Sequence, residues 1–502
     1  MSTISPSEFL DLVAEGYNVI PLYVTLQLDR ETPVSLYQRF GRERAMFLLE
    51  SAALGEATGR YSFIGLDRRW RVTTEHGATV VQGAHSSLSP SAGPLEVVRE
   101  LLGHCRAHQP SELPDFFGGA VGYVSYDYVR RLERLERDDD PDAWPDVDFS
   151  FPSVVLICDH LRHSTTVVVH AFIDDADALD ALRDASARLD EIVNVLLSPA
   201  PSSDAATERL VATSPSAYRD VNIRDIAAGL SNFTRDDYAD VVTRAQAHIY
   251  AGDIFQVVPS QQFRRPTSVD PLTLYRVLRA LNPSPYMYLL DTGTSQIIGA
   301  SPEMLVRVHD EVVSTRPIAG TRPRGADDEE DQAFEREMLH DEKEIAEHVM
   351  LVDLGRNDIG RVAVPGTVRV ERLAHVERFS HLMHLVSQVS GHLRDGLDAF
   401  DAFDALFPAG TLTGAPKVRA MQLIDEFEPV RRGPYGGAVG YFALGGNADF
   451  AITIRTLSLR NGVATVQAGG GIVADSQPDF EYRESINKAS APLLALQIAD
   501  PL

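Results

Sequence analysis

Two stretches carry carboxylates at matched spacing. "DEKEIAEHVMLVDLG" places Glu344 and Glu347 three residues apart, and "DFEYRESINKA" does the same with Glu481 and Glu484. Residues three apart share one helix face, so each stretch projects two carboxylates in one direction. If the two helices face each other, they offer an oxygen-rich site for a hard cation. Magnesium suits it, because it takes a few carboxylates and keeps water or substrate oxygens as other ligands. Lys488 lies seven residues after Glu481, on the same face. Either pair alone is ordinarily a solvated helix face in a chain with 72 acidic residues. The second pair, however, follows "VATVQAGGGIVADS". There Gly469, Gly470 and Gly471 can bring backbone N–H groups close to an anion. A plain turn or bulge is the other reading of these glycines. They are not a P-loop, because no Gly-Lys-Ser/Thr follows. Metal and glycines together suggest a carboxylate-bearing substrate.

Two further positions stand out against their surroundings. In "GDIFQVVPSQQF" Phe255, Val257 and Val258 suit a buried strand, and Gln256 puts a neutral amide among them. Arg455 interrupts the apolar strand pattern "FAITIRTLSL", as a substrate ligand or as half of a structural ion pair.

The chain that must position these groups has 502 residues, 44% of them hydrophobic, enough for one very large domain or two to three ordinary ones. Its formal charge of −26 opposes binding to nucleic acid and anionic membranes. An anionic substrate therefore needs a local basic or metal-lined site. Two cysteines, Cys105 and Cys158, argue against a disulfide framework or a Cys-ligated zinc site. The N-terminus has no basic region of a secretory signal, and no run approaches a membrane span, so a cytoplasmic, soluble protein is expected.

The Pro-, Ser- and Ala-rich stretch around 198–220 reads as a linker or surface excursion between an N-terminal region, 1–197, and a C-terminal one, 221–502. "PSVVLICDHLRHSTTVVVHAFI" predicts two strands and a polar turn. Thr234 and Asp237 have capping-box spacing before a helix that Gly252 ends. Residues 332–360 read as one long helix. "ADFAITIRTLSLRNGVATVQAGGG" reads as a strand, an Asn-Gly turn and a second strand. A helix then starts near Pro478, with Ser476 and Asp479 at cap spacing. Helix and strand alternate without a βαβ rhythm, which predicts an α+β (mixed α/β) fold.

Four longer motifs, "PIAGTRPRG", "DEKEIAEHVMLVDLGRNDIGRV", "PAGTLTGAPKVRAM" and "GGGIVADSQPDFEYRESINKA", closely resemble the chorismate-utilising enzymes in order and spacing, over residues ~230 to 495. "FLLES" and "GRYSFIG" make the N-terminal part similar to the first domain of the anthranilate synthase component I group. The resemblance implies large antiparallel sheets flanked by helices and a chorismate site bound through Mg²⁺. It implies Glu347 and Glu484 as metal ligands, with Glu344 and Glu481 supporting them. Gly320, Thr321, Tyr435, Arg455, Gly469, Gly470, Gly471 and Lys488 would grip the substrate carboxylates, with Thr411 lining the same pocket. Such donors suit a dianion.

The resemblance further implies Glu303, in "GASPEML", as the general acid for the departing 4-hydroxyl. That role needs a raised pKa, which neighbouring carboxylates and burial could supply. Relatives that add water carry a lysine where this chain has Gln256. An amide cannot take a proton from water, whereas neutral ammonia needs placement more than activation. Gln256 therefore favours an aminating member. Ala319 in "PIAGT" separates the chain from aminodeoxychorismate synthases, which resemble it but usually carry lysine there. His384, in "SHLMHLVSQV", is suited to assisting proton loss as pyruvate leaves. The expected reaction converts chorismate and ammonia to anthranilate and pyruvate, the first committed step of tryptophan biosynthesis. The alternatives are an aminodeoxychorismate synthase component or a catalytically silent tryptophan-binding subunit. The resemblance also implies a glutamine amidotransferase partner in a hetero-oligomer, and feedback by L-tryptophan at Glu50, Ser51, Asn282, Pro283, Ser284, Pro285, Tyr286 and Met287.

Overall fold

Local signals set the elements. Before the helix Arg235–Ala251, the Thr234 hydroxyl accepts from the Asp237 N–H at 3.2 Å. The Asp237 carboxylate accepts from the Thr234 N–H at the same distance. Gly252 ends the helix at φ 82°, in the left-handed region where glycine is favoured. The computed structural model describes residues 4–51, 59–83, 93–135, 140, 142–173, 177–199, 222–325, 327–378 and 382–500. The stretch 200–221, nearly all of the expected linker, lies outside them.

Long antiparallel pairings carry the architecture, and they join the two expected regions. Strand Ala45–Glu50 pairs with Tyr286–Asp291, setting Glu50 opposite Met287, and Gly119–Val124 pairs with Ala438–Ala443. The predicted pair of strands around His160 forms as Val147–Asp159 against Ser164–Phe172. The cores mix both regions too. One buried cluster gathers Phe9, Ile20, Leu48, Leu156, Leu274, Leu289, Leu457 and Leu493. Another stacks Phe400 on Phe442 with ring centroids 3.9 Å apart, beside Phe149 and Phe450. Burying these side chains at roughly 25 cal/mol per Å² fixes the sheets on which the site residues stand. The fold is mixed α and β, as expected.

Four local expectations are corrected. The long helix is two, Asp328–His340 and Glu342–Gly360, broken at Asp341. The Asp341 carboxylate accepts from the Glu344 N–H at 3.1 Å, so it caps the second helix instead of continuing the first. Arg455 is not within a strand. It lies between Ala448–Ile452 and Thr456–Arg460 at φ 52°, a backbone region that costs a non-glycine residue energy. Phe255 is 72% exposed while Gln256 and Val257 are buried. The strand is only Gln256–Val257, and neighbours along extended chain point to opposite sides. Finally, Gln477 precedes the helix Pro478–Ala499 without a side-chain cap, and the Ser476 hydroxyl accepts from Val473 N–H at 3.1 Å.

Candidate active site

Glu303 sits in the link between strands Ser295–Ser301 and Met304–His309, and its carbonyl accepts from Ile452 N–H at 3.0 Å. Its side chain is buried, and Thr411 Oγ1 donates to Oε1 at 2.8 Å. Burial pushes the carboxyl up to about 7, against the pull of the Thr411 hydrogen bond and the Lys488 ammonium. Burial supplies the shift. No neighbouring carboxylate contributes among the described residues, which corrects that part of the expectation. A carboxyl with this pKa is substantially protonated at neutral pH and can donate a proton.

Gln256 is held by main-chain pairing to Ala415 and aims its Nε2 at Glu347 Oε1, 3.3 Å away. It also lies against Gly471, where an added Cβ would overlap the amide. Gly470 faces the second carboxylate helix at a looser spacing, since a Cβ there would sit 3.2 Å from Glu481 Oε2. Gly469 ends the strand Val463–Gly469, and its backbone hydrogen-bonds the Tyr435 hydroxyl. The glycine run thus lies between Gln256, Tyr435 and Glu481.

Lys488 and Arg455 close the other side. Lys488 Nζ is 3.7 Å from Glu484 Oε1, one helical turn away, and Arg455 Nη1 donates to the Lys488 carbonyl at 3.0 Å. Burial pulls the Arg455 guanidinium below its ordinary value while Glu484 and Tyr435 raise it. On strand Leu382–His392, His384 is half-buried, with Nδ1 3.4 Å from the Gly320 carbonyl. Burial lowers its pKa, opposed by the Gly320 contact, and the Arg455 charge lowers it further, so the ring is neutral at pH 7. Gly320 has φ 57°, and a Cβ there would stand 2.7 Å from Glu344 Oε2. Thr321 pairs with His384 across the strands, and its side chain lies outside what the structure describes.

The sequence signature of the chorismate binding enzymes matches residues 45–494. This chain belongs to that family. It is 47% identical to anthranilate synthase component 1 of Mycobacterium tuberculosis, over 100% of this chain and 97% of that one. It is 45% identical to the protein of the same name from Acetivibrio thermocellus, over 97% of each. The crystal structure of anthranilate synthase component I from Streptococcus pneumoniae superposes with a TM-score of 0.74 at 37% identity, covering 88% of this chain and 94% of that one.

The sequence resemblance makes Glu347 and Glu484 the expected metal ligands, supported by Glu344 and Glu481. Among the described residues, no three His, Cys, Asp or Glu side chains converge into a preformed metal centre. The donor set nevertheless fits a hard cation. Glu344 Oε2 is buried without a hydrogen-bond partner among the described residues, and Glu347 and Glu484 are only partly engaged, at 3.3 and 3.7 Å. Arg322 Nη1 pairs with the other Glu344 oxygen at 2.5 Å, a partner that sequence reasoning missed. Its place in "GTRPRG" was the available signal.

The residues expected to bind tryptophan lie at a separate place. Glu50, Ser51, Pro285, Tyr286 and Met287 line a cavity beside Arg307 and Asp449. Glu50 is buried, accepts from the Tyr275 hydroxyl, and pairs with Arg279 at 3.1 Å. Ser51 Oγ is buried without a partner among the described residues. Ser284 Oγ donates to the Asn282 carbonyl at 3.2 Å, tying the loop around Pro283. Arg307, which pairs with Asp449 at 2.6 Å, was not singled out from the sequence. Its strand pattern reads as ordinary alternation.

Proposed function

We propose that this chain is the aminating large subunit of an anthranilate synthase. It converts chorismate and ammonia to anthranilate, pyruvate and water through 2-amino-2-deoxyisochorismate, by lyase chemistry. The observation that carries the reading is Glu303, a buried carboxyl raised to about 7 and held by Thr411 beside the Lys488 charge. Protonated Glu303 gives its proton to the departing 4-hydroxyl as ammonia adds to the ring. Lys488, Arg455, Tyr435 and the Gly469–Gly471 backbone bind and orient the substrate carboxylates. Gln256 can accept or donate a hydrogen bond but takes no proton from water, so the nucleophile is ammonia. Neutral His384 then receives the ring proton as the carbon–oxygen bond to pyruvate breaks, and the ring aromatises.

Glu347 and Glu484, backed by Glu344 and Glu481, would hold a magnesium ion that, when bound, orients the ring carboxylate and offsets its charge. Ammonia comes from a glutamine amidotransferase subunit, as the name "component 1" of the relatives suggests. A nucleophilic cysteine is not offered by this chain: Cys105 and Cys158 are buried, and burial pushes the Cys158 thiol up to about 12. Tryptophan binds the cavity at Ser51 and Met287 as inhibitor. That cavity shares the pairing of Ala45–Glu50 with Tyr286–Asp291, which leads into the strand ending two residues before Glu303. The functional test is purified chain with chorismate, Mg²⁺ and ammonium at alkaline pH, read by anthranilate fluorescence. Folded protein that gives no fluorescence refutes the proposal.

A further inference from the structure

The hydroxyl that holds Glu303 stands on a loop whose two ends meet at one ammonium. Lys417 opens the helix Lys417–Phe427, just after the loop. Its Nζ reaches the carbonyl of Leu406 at 3.4 Å, the last residue of the helix Ala399–Leu406 just before the loop. The same ammonium pairs with Asp358 Oδ2 at 2.7 Å. Asp358 is buried in the last turn of Glu342–Gly360, the helix that carries Glu344 and Glu347. Between these ends the loop is seated on that helix: Gly410 packs so closely on Leu354 that a Cβ would overlap it. Thr411 follows and donates to Glu303. Further along, Gly414 and Ala415 pair with Val257 and Gln256. A small cavity lined by Glu303, Thr315, Leu354, Asp358, Gly410 and Thr411 lies beside the loop, so a loosened loop has room to move.

We propose that Lys417 and Asp358 are positioning residues for catalysis: their part-buried ion pair fixes the 407–416 loop so that Thr411 holds Glu303 in place. The pair touches neither Glu303 nor Gln256 and acts through the loop. The inference rests on the acid role assigned to Glu303 above.

The test is a cycle of Lys417→Met, Thr411→Val and the double variant, assayed with chorismate and ammonium across pH. Each single variant should lower kcat by about tenfold or more, and in Lys417→Met, whose side chain lies outside the substrate pocket, KM for chorismate should change by less than about threefold, because the acid is misplaced and not the binding groups. The double variant should be no slower than the worse single one, because both break the same contact. Lys488 is the charged group acting on Glu303 among the described residues. Losing the Thr411 donor removes a contact that favours the carboxylate, so the alkaline limb of kcat moves to higher pH in both single variants, and no further in the double. Lys417→Arg, which keeps the charge, should recover part of kcat. Multiplying effects, a loss confined to KM, or an unmoved alkaline limb in Lys417→Met overturns the proposal. Where Lys417→Met does not fold, Asp358→Asn replaces it in the cycle, and failure of both to fold makes the pair a folding element and overturns the positioning role. Wild-type turnover is the control: its absence refutes the proposed function, whereas its presence with independent variants refutes only the positioning pair.

Discussion

Glu303→Gln separates the stability and the chemistry of the buried acid. The folded pKa of about 7 lies above the ordinary 4.5, so folded protein binds more protons than unfolded chain between those values. Stability from the protonated form is complete below 4.5 and is lost as pH rises through 7. The difference corresponds to about 3 kcal/mol once both states are ionised. The amide introduced by the substitution stays neutral at every pH and keeps an oxygen that can accept from Thr411 Oγ1. The variant should therefore match wild type near pH 4 and exceed it by up to about 3 kcal/mol near pH 8.5. Urea-unfolding midpoints of both proteins at the two pH values measure this, and the variant-minus-wild-type difference cancels groups that titrate alike in both. Turnover with ammonium should fall by roughly 10² to 10⁴, the usual contribution of a general acid. A stability difference that does not change with pH would show that Glu303 is not held protonated. Retained turnover would show that it is not the acid.

Other substitutions probe the remaining assignments. Gln256→Lys places a base beside Glu347, and a water-derived hydroxylated product should become detectable by chromatography; its absence from a folded variant removes Gln256 as the gate between water and ammonia. Gly471→Ala pushes a methyl group into the Gln256 amide, a movable side-chain end, so thermal stability should hold while turnover falls. Equal turnover would show that the Gln256 position is unimportant. Ser51→Phe fills the cavity at a hydroxyl without a partner among the described residues, and inhibition by tryptophan should weaken with ammonium-dependent activity retained; unchanged sensitivity would place the inhibitor elsewhere.

Much of the candidate site was legible because its residues sit in contiguous motifs. The Glu481/Glu484 spacing, the glycine run and the Thr234 cap are local patterns, and local geometry realises them. What escaped depends on distant partners. Arg455 looks like a strand residue, but its main chain turns through the left-handed region and its guanidinium meets the Lys488 carbonyl. Phe255 precedes the two-residue strand Gln256–Val257 and stays exposed while Gln256 is buried, and the pairing partner of that strand lies at 414–415. The ion pair of Lys417 with Asp358 joins residues 59 apart in sequence on two different helices, beyond any periodicity. The break at Asp341 was readable, since an acidic residue three before Glu344 is a helix-start pattern. The helical run on either side concealed it.

The most direct measurement is the identity of the product formed from chorismate and ¹⁵N-ammonium in the presence of Mg²⁺, by chromatography and mass spectrometry. The account predicts ¹⁵N-labelled anthranilate and an equal amount of pyruvate. Accumulation of an aminated product that retains its enolpyruvyl group, of an unlabelled hydroxylated product, or of unchanged chorismate with folded protein would contradict it.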